Sequence, residues 1–510
     1  MKQWGEVNLV ANSLTRGEAA WGPEALTPLE SHHLVTGAHC VVSTNSQEIL
    51  DAVRSFFREP ADPQSPPTLS FRFWVDPAAS TSRPWPQPFF RGLGHLAYAG
   101  FDSENSLLLD LRRRSVVGRF SPAMAADIDY WHRVIFPTLV GLASDAIGVT
   151  VIHSACVERN GAGLLLAGES GAGKSTLSLA MAQCGFAFLS DDWTYLSRAG
   201  GQLRAWGLPT PLKLLPDAVR HFPQLRNLEP GVSLNGETAF EFDPEEVFGV
   251  RRSLRCEPRW LVFLERHDKA RHAFARMPPQ EAADRLGSAQ GCIPRELSWL
   301  REMQNATIRS LVESECWLLR YGENPGVIAE TLERFCSVAR PVVRRPGIAN
   351  RPLFLRRGPD PTRRLTPTPH VADLKAAGFA IRLETNSPAI LRRVGNALIR
   401  NERPQPMQRE FVWRLILDED AAVYPPVREL SIVSAGGMRL VNMGQYSFMA
   451  MDAEGGCAVG FLGEEVLKDG QRFEKLVLGR LLCLTAEAVR WMDKSARRNN
   501  ESPGPVELTR

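Results

Sequence analysis

Residues Gly168-Glu169-Ser170-Gly171-Ala172-Gly173-Lys174-Ser175 spell a complete G-x-x-x-x-G-K-S loop, and the flanks of that loop leave few folds open. Ahead of it, Gly163-Leu164-Leu165-Leu166-Ala167 is a short apolar run that reads as a buried strand. Behind it, Ser175 to Cys184 is apolar at helical spacing and is closed by Gly185. Strand, glycine loop and helix start are the setting in which this pattern has a mechanism. Loop N–H groups and the positive end of the helix dipole form a cradle for phosphate oxygens. Gly168 to Ser175, with Thr176 behind them, are therefore expected to hold the phosphates of ATP. Lys174 would reach the β and γ phosphates, and the Ser175 hydroxyl would ligate Mg²⁺. The bland alternative is a flexible Gly/Ser loop that matches by chance.

The surroundings narrow the class. Phe186-Ala187-Phe188-Leu189-Ser190 reads as a strand and ends in Asp191-Asp192. Neighbouring strand residues point to opposite faces, so one carboxylate faces the γ phosphate while the other turns toward metal or a supporting position. Upstream, Val149-Thr150-Val151-Ile152 alternates like a strand and leads into His153. Asn160-Gly161 marks a tight hairpin into the loop's own strand. An antiparallel hairpin feeding such a loop is not the parallel βαβ unit of most phosphate-loop proteins.

That order (strand, His, hairpin, loop, helix, strand, Asp-Asp) resembles the catalytic domain of the HPr kinase/phosphorylase family, a relative of nucleotide-dependent phosphoenolpyruvate carboxykinase. The resemblance covers about residues 146–340. It implies that Asp191 is the base that takes a seryl proton and that His153 sits close by; Asp192 is then the carboxylate expected to serve the metal. The family carries a metal-binding Glu before an Arg-Gly pair. The matching segment here, Leu203-Arg204-Ala205-Trp206-Gly207-Leu208-Pro209, keeps the Gly-Leu but puts Arg204 near the place of that Glu. The departure leaves the second metal contact open and weakens the phosphorylase reaction. The chain looks more like the divergent kinases of this family found beside peptide-modifying enzymes.

Each residue also has a structural reading. His153 suits a core histidine at a strand end. Asp192 suits a helix cap or turn. Asp191 suits a metal ligand as well as a base, since phosphoryl transfer is mostly positioning and charge neutralisation. Lys213 contacts phosphate or acceptor, or is simply solvated. Arg266, after the apolar strand Arg259–Glu265, is a further cation for phosphate charge.

With 510 residues the chain has room for two to four domains. Apolar residues at 44% and charged residues at 23% suit an ordinary globular protein. A net charge of +3 is too balanced to imply nucleic acid or an anionic membrane as partner. No apolar run reaches the ~18 residues of a bilayer span. Met1 to Glu6 lacks a signal-peptide core. Nine scattered cysteines without a C-x-x-C pair read as reduced thiols of a cytoplasmic protein, with no zinc or iron–sulfur pattern.

An internal repeat sets the rest of the organisation. Thr44-Asn45-Ser46 followed by Ile49-Leu50 recurs as Thr385-Asn386-Ser387 followed by Ile390-Leu391. Phe71–Asp76 then parallels Phe411–Asp418, and Leu96–Asp102 parallels Tyr446–Asp452. A terminal helix follows each, at about 123–142 and 473–492.

The expected fold is α/β and α+β: an HPr kinase-like domain at 146–340, with a mixed sheet and helices, between two copies of one α+β domain at 30–145 and 371–495. A 1–29 extension, a Pro/Arg-rich linker at 341–370 and a disordered tail at 496–510 complete it. The linker is either a solvated spacer or a strap that meets an acidic peptide or a partner subunit. Each copy is large enough to hold its own core, so a chain ending near Ala339 is expected to fold alone.

The function these readings point to is an Mg-ATP-dependent kinase for a hydroxyl, Ser or Thr of a peptide or small protein, with self-assembly as a further option. A non-catalytic ATP sensor and a small-molecule alcohol kinase are the alternatives.

Overall fold

The computed structural model describes residues 27–500, apart from 200–201, 234–235, 268–270, 289–296, 314, 323, 339–359, 361, 377–378, 399–409, 420 and 422–429. Most of the expected 1–29 extension and of the 341–370 linker, and the end of the tail, lie outside the described residues. The chain is mixed α/β, built from several mixed sheets with helices.

The first sheet holds β1 (Leu29–Val35), β2 (Ala38–Thr44), β3 (Leu69–Val75), β4 (Phe89–Leu93), β5 (Leu96–Gly100), β6 (Ser106–Asp110) and β7 (Ser115–Phe120), in the order β1-β2-β3-β7-β6-β5-β4. The central region follows, with β8 (Thr150–Arg159), β9 (Ala162–Ala167), β10 (Ala187–Ser190), β11 (Trp193–Ala199), β12 (Gln202–Trp206), β13 (Leu212–Leu214), β14 (Gly231–Val232), β15 (Thr238–Phe242), β16 (Arg255–Arg266), β17 (His272–Arg276) and β18 (Glu315–Tyr321). The last sheet holds β19 (His370–Ala376), β20 (Phe379–Thr385), β21 (Glu410–Asp418), β22 (Ser431–Ala435), β23 (Met438–Asn442), β24 (Phe448–Asp452) and β25 (Cys457–Gly463). Its order, β19-β20-β21-β25-β24-β23-β22, repeats that of the first sheet strand for strand.

The Thr-Asn-Ser signature does the same work in both sheets. Ser46 Oγ caps the helix Gln47–Phe56 by accepting from Ile49 N, and Ser387 Oγ caps Pro388–Ala397 by accepting from Ile390 N. The Asn45 amide forms a two-bond rung with the backbone of Val75, at 2.7 and 2.9 Å. Asn386 forms the same rung with Leu417, at 2.8 and 2.9 Å. Each rung pins the strand–helix turn to the end of the next strand.

The terminal helices differ from expectation in the same way. A π-helical turn, Trp131–Ile135 in one and Glu474–Leu478 in the other, precedes the regular helices Phe136–Ala146 and Gly479–Asn500. The second helix runs past 495 to Asn500, into the expected tail.

Both sheets bury one face under these helices. Their other faces meet, with Phe89, Tyr98 and Leu108 against Phe448, Val459 and Phe461. Tyr98 stacks on Phe448 with ring centroids 3.9 Å apart. The two copies therefore share a core, which the sequence reading of separable domains did not foresee. Part of the linker is docked too: Arg363 reaches Asp418 and Arg364 reaches Asp145.

In the central region β8, β11, β12, β16 and β9 pair in a closed circuit. β9, β16 and β18 run parallel to one another, and β8 and β9 form the antiparallel hairpin, with Asn160 and Gly161 at φ 54° and 80°. Two positive φ values in sequence are what an Asn-Gly turn of this kind supplies. Tyr195, Trp206 and Leu208 join the core of the first sheet, so the central region leans on that copy.

Candidate functional site

The glycine loop links β9 to the helix Lys174–Gln183. Its shape depends on two glycines in particular. Gly173 sits at φ +91°, and a Cβ there would lie 2.3 Å from the Tyr321 hydroxyl oxygen. At Gly168 a Cβ would lie 2.8 Å from the carbonyl oxygen of Leu264. The loop is packed against the ends of β18 and β16, and no side chain fits between. Tyr321 also donates to the Ala172 carbonyl at 2.7 Å, which holds the loop from below. Glu169, Ser170 and Gly171 are exposed at its crest, and Ser175 and Thr176 lie half-buried in the first turn of the helix.

Lys174 is buried, and its ammonium donates to the carbonyls of Gly168 and Glu169 at 3.0 and 3.1 Å. Burial lowers its pKa, while the charges of Asp192 and Asp191 oppose that shift. The loop lysine and the two acids thus feel one another across the site.

The two acids lie in the bend between β10 and β11 and differ in burial. Asp191 is buried; its Oδ2 accepts from the Lys213 N–H at 3.1 Å. Burial pushes its carboxyl up to about 7, the Lys213 hydrogen bond opposes this, and the charge of Asp192 adds to it. Asp192 is exposed and pairs with His153, Oδ1 to Nε2 2.7 Å. His153 stands opposite Trp193 in the β8–β11 ladder and touches its ring, centroids 5.3 Å apart. His153 is therefore joined to Asp192 rather than to Asp191, the partner the resemblance implied.

Lys213 enters the site through its backbone, a role that composition and spacing cannot signal. Its ammonium is bound to Glu237 at 2.7 Å. Arg204 stands opposite Ser197, four residues along β11 from Trp193, roughly 13 Å at strand spacing. Its guanidinium donates to Gln202 at 3.1 Å, so it does not occupy the place of a metal-binding Glu beside the acids. Arg266 ends β16 opposite Tyr321, and its charge reaches Tyr321 and His221. Sequence reasoning missed Glu241. It lies opposite Lys213 in β15 and is ion-paired with Arg133, from the π turn of the first copy. The first copy thereby touches the strands that carry the site.

For a cation, the oxygen donors beside the loop are Ser175, Asp191 and Asp192, hard ligands that suit Mg²⁺. A second cluster, His95, Asp452 and Cys457, joins the two copies. Burial would raise the acid of Asp452, but hydrogen bonds from His95 at 2.9 Å and Arg113 at 2.8 Å hold it well below the usual carboxylate range. The Cys457 thiol is pushed up to about 12 by burial and by the charge of Asp452. A carboxylate held by arginine beside a protonated thiol makes a clamp between sheets rather than a metal site.

No family model and no curated protein matches this chain. Among solved structures, the Hpr(Ser) kinase/phosphatase from Coxiella burnetii is similar at 16% identity, with 37% of this chain and 97% of that one covered and a TM-score of 0.21. A likeness that weak assigns neither a substrate nor a reaction to this chain. No helix among the described residues is long and apolar enough to cross a membrane.

Proposed function

We propose that the chain is an Mg-ATP-dependent kinase that phosphorylates a hydroxyl, that of Ser or Thr in a peptide or small protein. The observation that carries this reading is the convergence of a complete glycine loop, its buried Lys174, and an Asp191-Asp192 pair whose charges act on that lysine. Gly168 to Ser175 and Thr176 hold the phosphates of ATP, Lys174 neutralises the β and γ oxygens, and Ser175 with Asp192 serves Mg²⁺. Asp191, with an acid near neutrality, orients or deprotonates the acceptor. His153 holds Asp192 in place.

The test is ATP binding and phosphate transfer in two variants. Lys174→Ala should lose ATP affinity or turnover without unfolding. Asp191→Asn should keep ATP binding and lose at least ~10²-fold in transfer, the usual worth of a general base. In the wild type, transfer should rise from pH 6 to 8 as Asp191 ionises, and that rise should vanish in Asp191→Asn. Loss confined to Asp192→Asn would move the acceptor-facing role to the Asp192–His153 pair.

A second reading, a non-catalytic ATP sensor, is favoured by one observation. Asp191 is only 7% exposed and already holds the Lys213 N–H. A wild-type chain that binds ATP but transfers phosphate to no peptide, protein or metabolite fraction decides for the sensor.

A further inference from the structure

The strands beside the phosphate loop have a gap in their cover. In β8 the side chains of Val151, His153, Ala155 and Val157 share a face, because side chains alternate along a strand. Val151 packs against the core of the first copy, and Ala155 and Val157 belong to the core under the loop's helix. In β11 Tyr195 joins the first copy's core. Trp193, two residues earlier on the same face, stands opposite His153. His153 and Trp193 therefore floor a gap between the first copy and the helix.

Trp193 is 49% exposed, and no Phe, Tyr or Trp among the described residues is more so. Its ring is tilted by 34° against His153, so it does not simply lie flat as a lid on the imidazole. An indole left bare in this way gains most from a second ring, since aromatic pairs are worth more than the area they bury.

The position of the gap says which ligand reaches it. β8 sets Ser154 opposite Ala167, so His153 is level with Gly168, where the loop begins. Trp193 is one strand further out, roughly 10 Å from the loop at two strand spacings. Asp192 precedes it in the chain and pairs with His153. On the kinase reading, Lys174 and Asp192 hold the γ-phosphate end of ATP, and the nucleoside extends away from the acids. The gap then lies on the acceptor's side of the phosphate.

We propose that Trp193 is a specificity-determining residue that receives an aromatic side chain flanking the acceptor Ser or Thr of a peptide. This rests on the kinase reading of the same site. The indole stacks on the peptide's ring while the acceptor hydroxyl lies at Asp191. Asp191 and Trp193 are at most ~7 Å apart along the chain, the reach of two extended residues, so the ring lies within two positions of the hydroxyl.

The experiment uses the full-length chain and pools of peptides with a central Ser. Phe, Leu, Gly, Asp or Lys is fixed in turn at each position up to two residues away, the reach set by chain geometry. Each pool is tested for binding with Mg²⁺ and a non-hydrolysable ATP analogue, and for phosphate transfer from ATP. At one position the Phe pool should be favoured over the Gly pool by ~10-fold in both. Trp193→Ala should bring that ratio below about twofold, and Trp193→Phe should keep most of it. Melting temperatures report the fold of each variant, and Trp193→Gln takes the place of an alanine variant that does not fold. Selective binding that Trp193→Ala abolishes, without transfer to any pool, sustains the peptide site and sinks the kinase reading. Transfer with no Phe preference, or with a preference that Trp193→Ala leaves intact, overturns the proposal and leaves the kinase. Weaker binding of the ATP analogue by Trp193→Ala assigns the indole to the nucleotide and overturns it too, as does the absence of both binding and transfer in every pool.

Discussion

The first and last sheets share strand order, caps, asparagine rungs and π turns, yet they sit in different company. The first is covered on both faces and also packs against Tyr195, Trp206 and Leu208 of the central region, with Gly37 of its β1–β2 turn so close to Trp206 that a Cβ would lie 2.9 Å from the indole. Through Arg133 it reaches Glu241, which stands opposite Lys213, the residue whose N–H holds Asp191. The last sheet meets the rest of the molecule through its contact with the first sheet and through Arg363 of the docked linker. One fold thus serves as a bridge in one place and as a cover in the other. What differs is the outer residues, not the topology.

Removing the cover should have the largest effect. A chain ending at residue 339 would uncover Phe89, Leu93, Leu96, Tyr98, Leu108 and Val117, and leave Arg91 without Asp418. An apolar face of that kind drives association. Light scattering should show dimers or aggregates in place of the full-length species. A monomeric, cooperatively melting 1–339 would mean that the shared core is not needed.

Asp418→Ala asks how tightly the two sheets are stitched. Asp418 is 1% exposed as a side chain and holds Arg91 from the first sheet and Arg363 from the linker. Losing one partner of a buried pair costs about 3–5 kcal/mol. Urea titration should show that loss, and a change under about 1 kcal/mol would mean that the apolar contact alone joins the copies.

The matched rungs sharpen the comparison. Asn45→Ala and Asn386→Ala each remove two hydrogen bonds to backbone. About 1–2 kcal/mol is expected for each, with Asn386 the larger because it is less exposed. A neutral result at one position would show that the two joints are equivalent in geometry only.

The smallest effect concerns a position where the copies part. Counting from the π turns, Ser144 of the first helix corresponds to Glu487 of the second. Burial pushes the Glu487 carboxyl up to about 7, opposed by Arg490, Arg439 and Arg480. A raised folded pKa means that its contribution is fully present below the unfolded value, about 4.5, and is lost as pH rises through about 7. Wild-type stability should therefore fall from pH 5 to pH 8. Asp191 acts in the same direction, so Glu487→Gln should reduce the slope without flattening it. An unchanged slope would show that Glu487 is solvated in solution.

Local signals were legible without a structure. The G-x-x-x-x-G-K-S loop, the Asn160-Gly161 turn and the Thr-Asn-Ser repeat each act within a few residues, through backbone dihedrals and caps that residue type dictates. Strand alternation did not extend to Asp191 and Asp192, which lie in the bend between β10 and β11. Contacts between distant segments left no such trace. Nothing local says that His153 pairs with Asp192, that Lys213 serves through its N–H, or that Arg364 in a basic linker reaches Asp145. The buried faces of β5 and β6 are the clearest case. Their apolar runs mark strands covered on both sides but do not name the cover, because hydrophobic burial is non-directional and any apolar face satisfies it. Tertiary structure decided that the cover is the second copy of the same sheet.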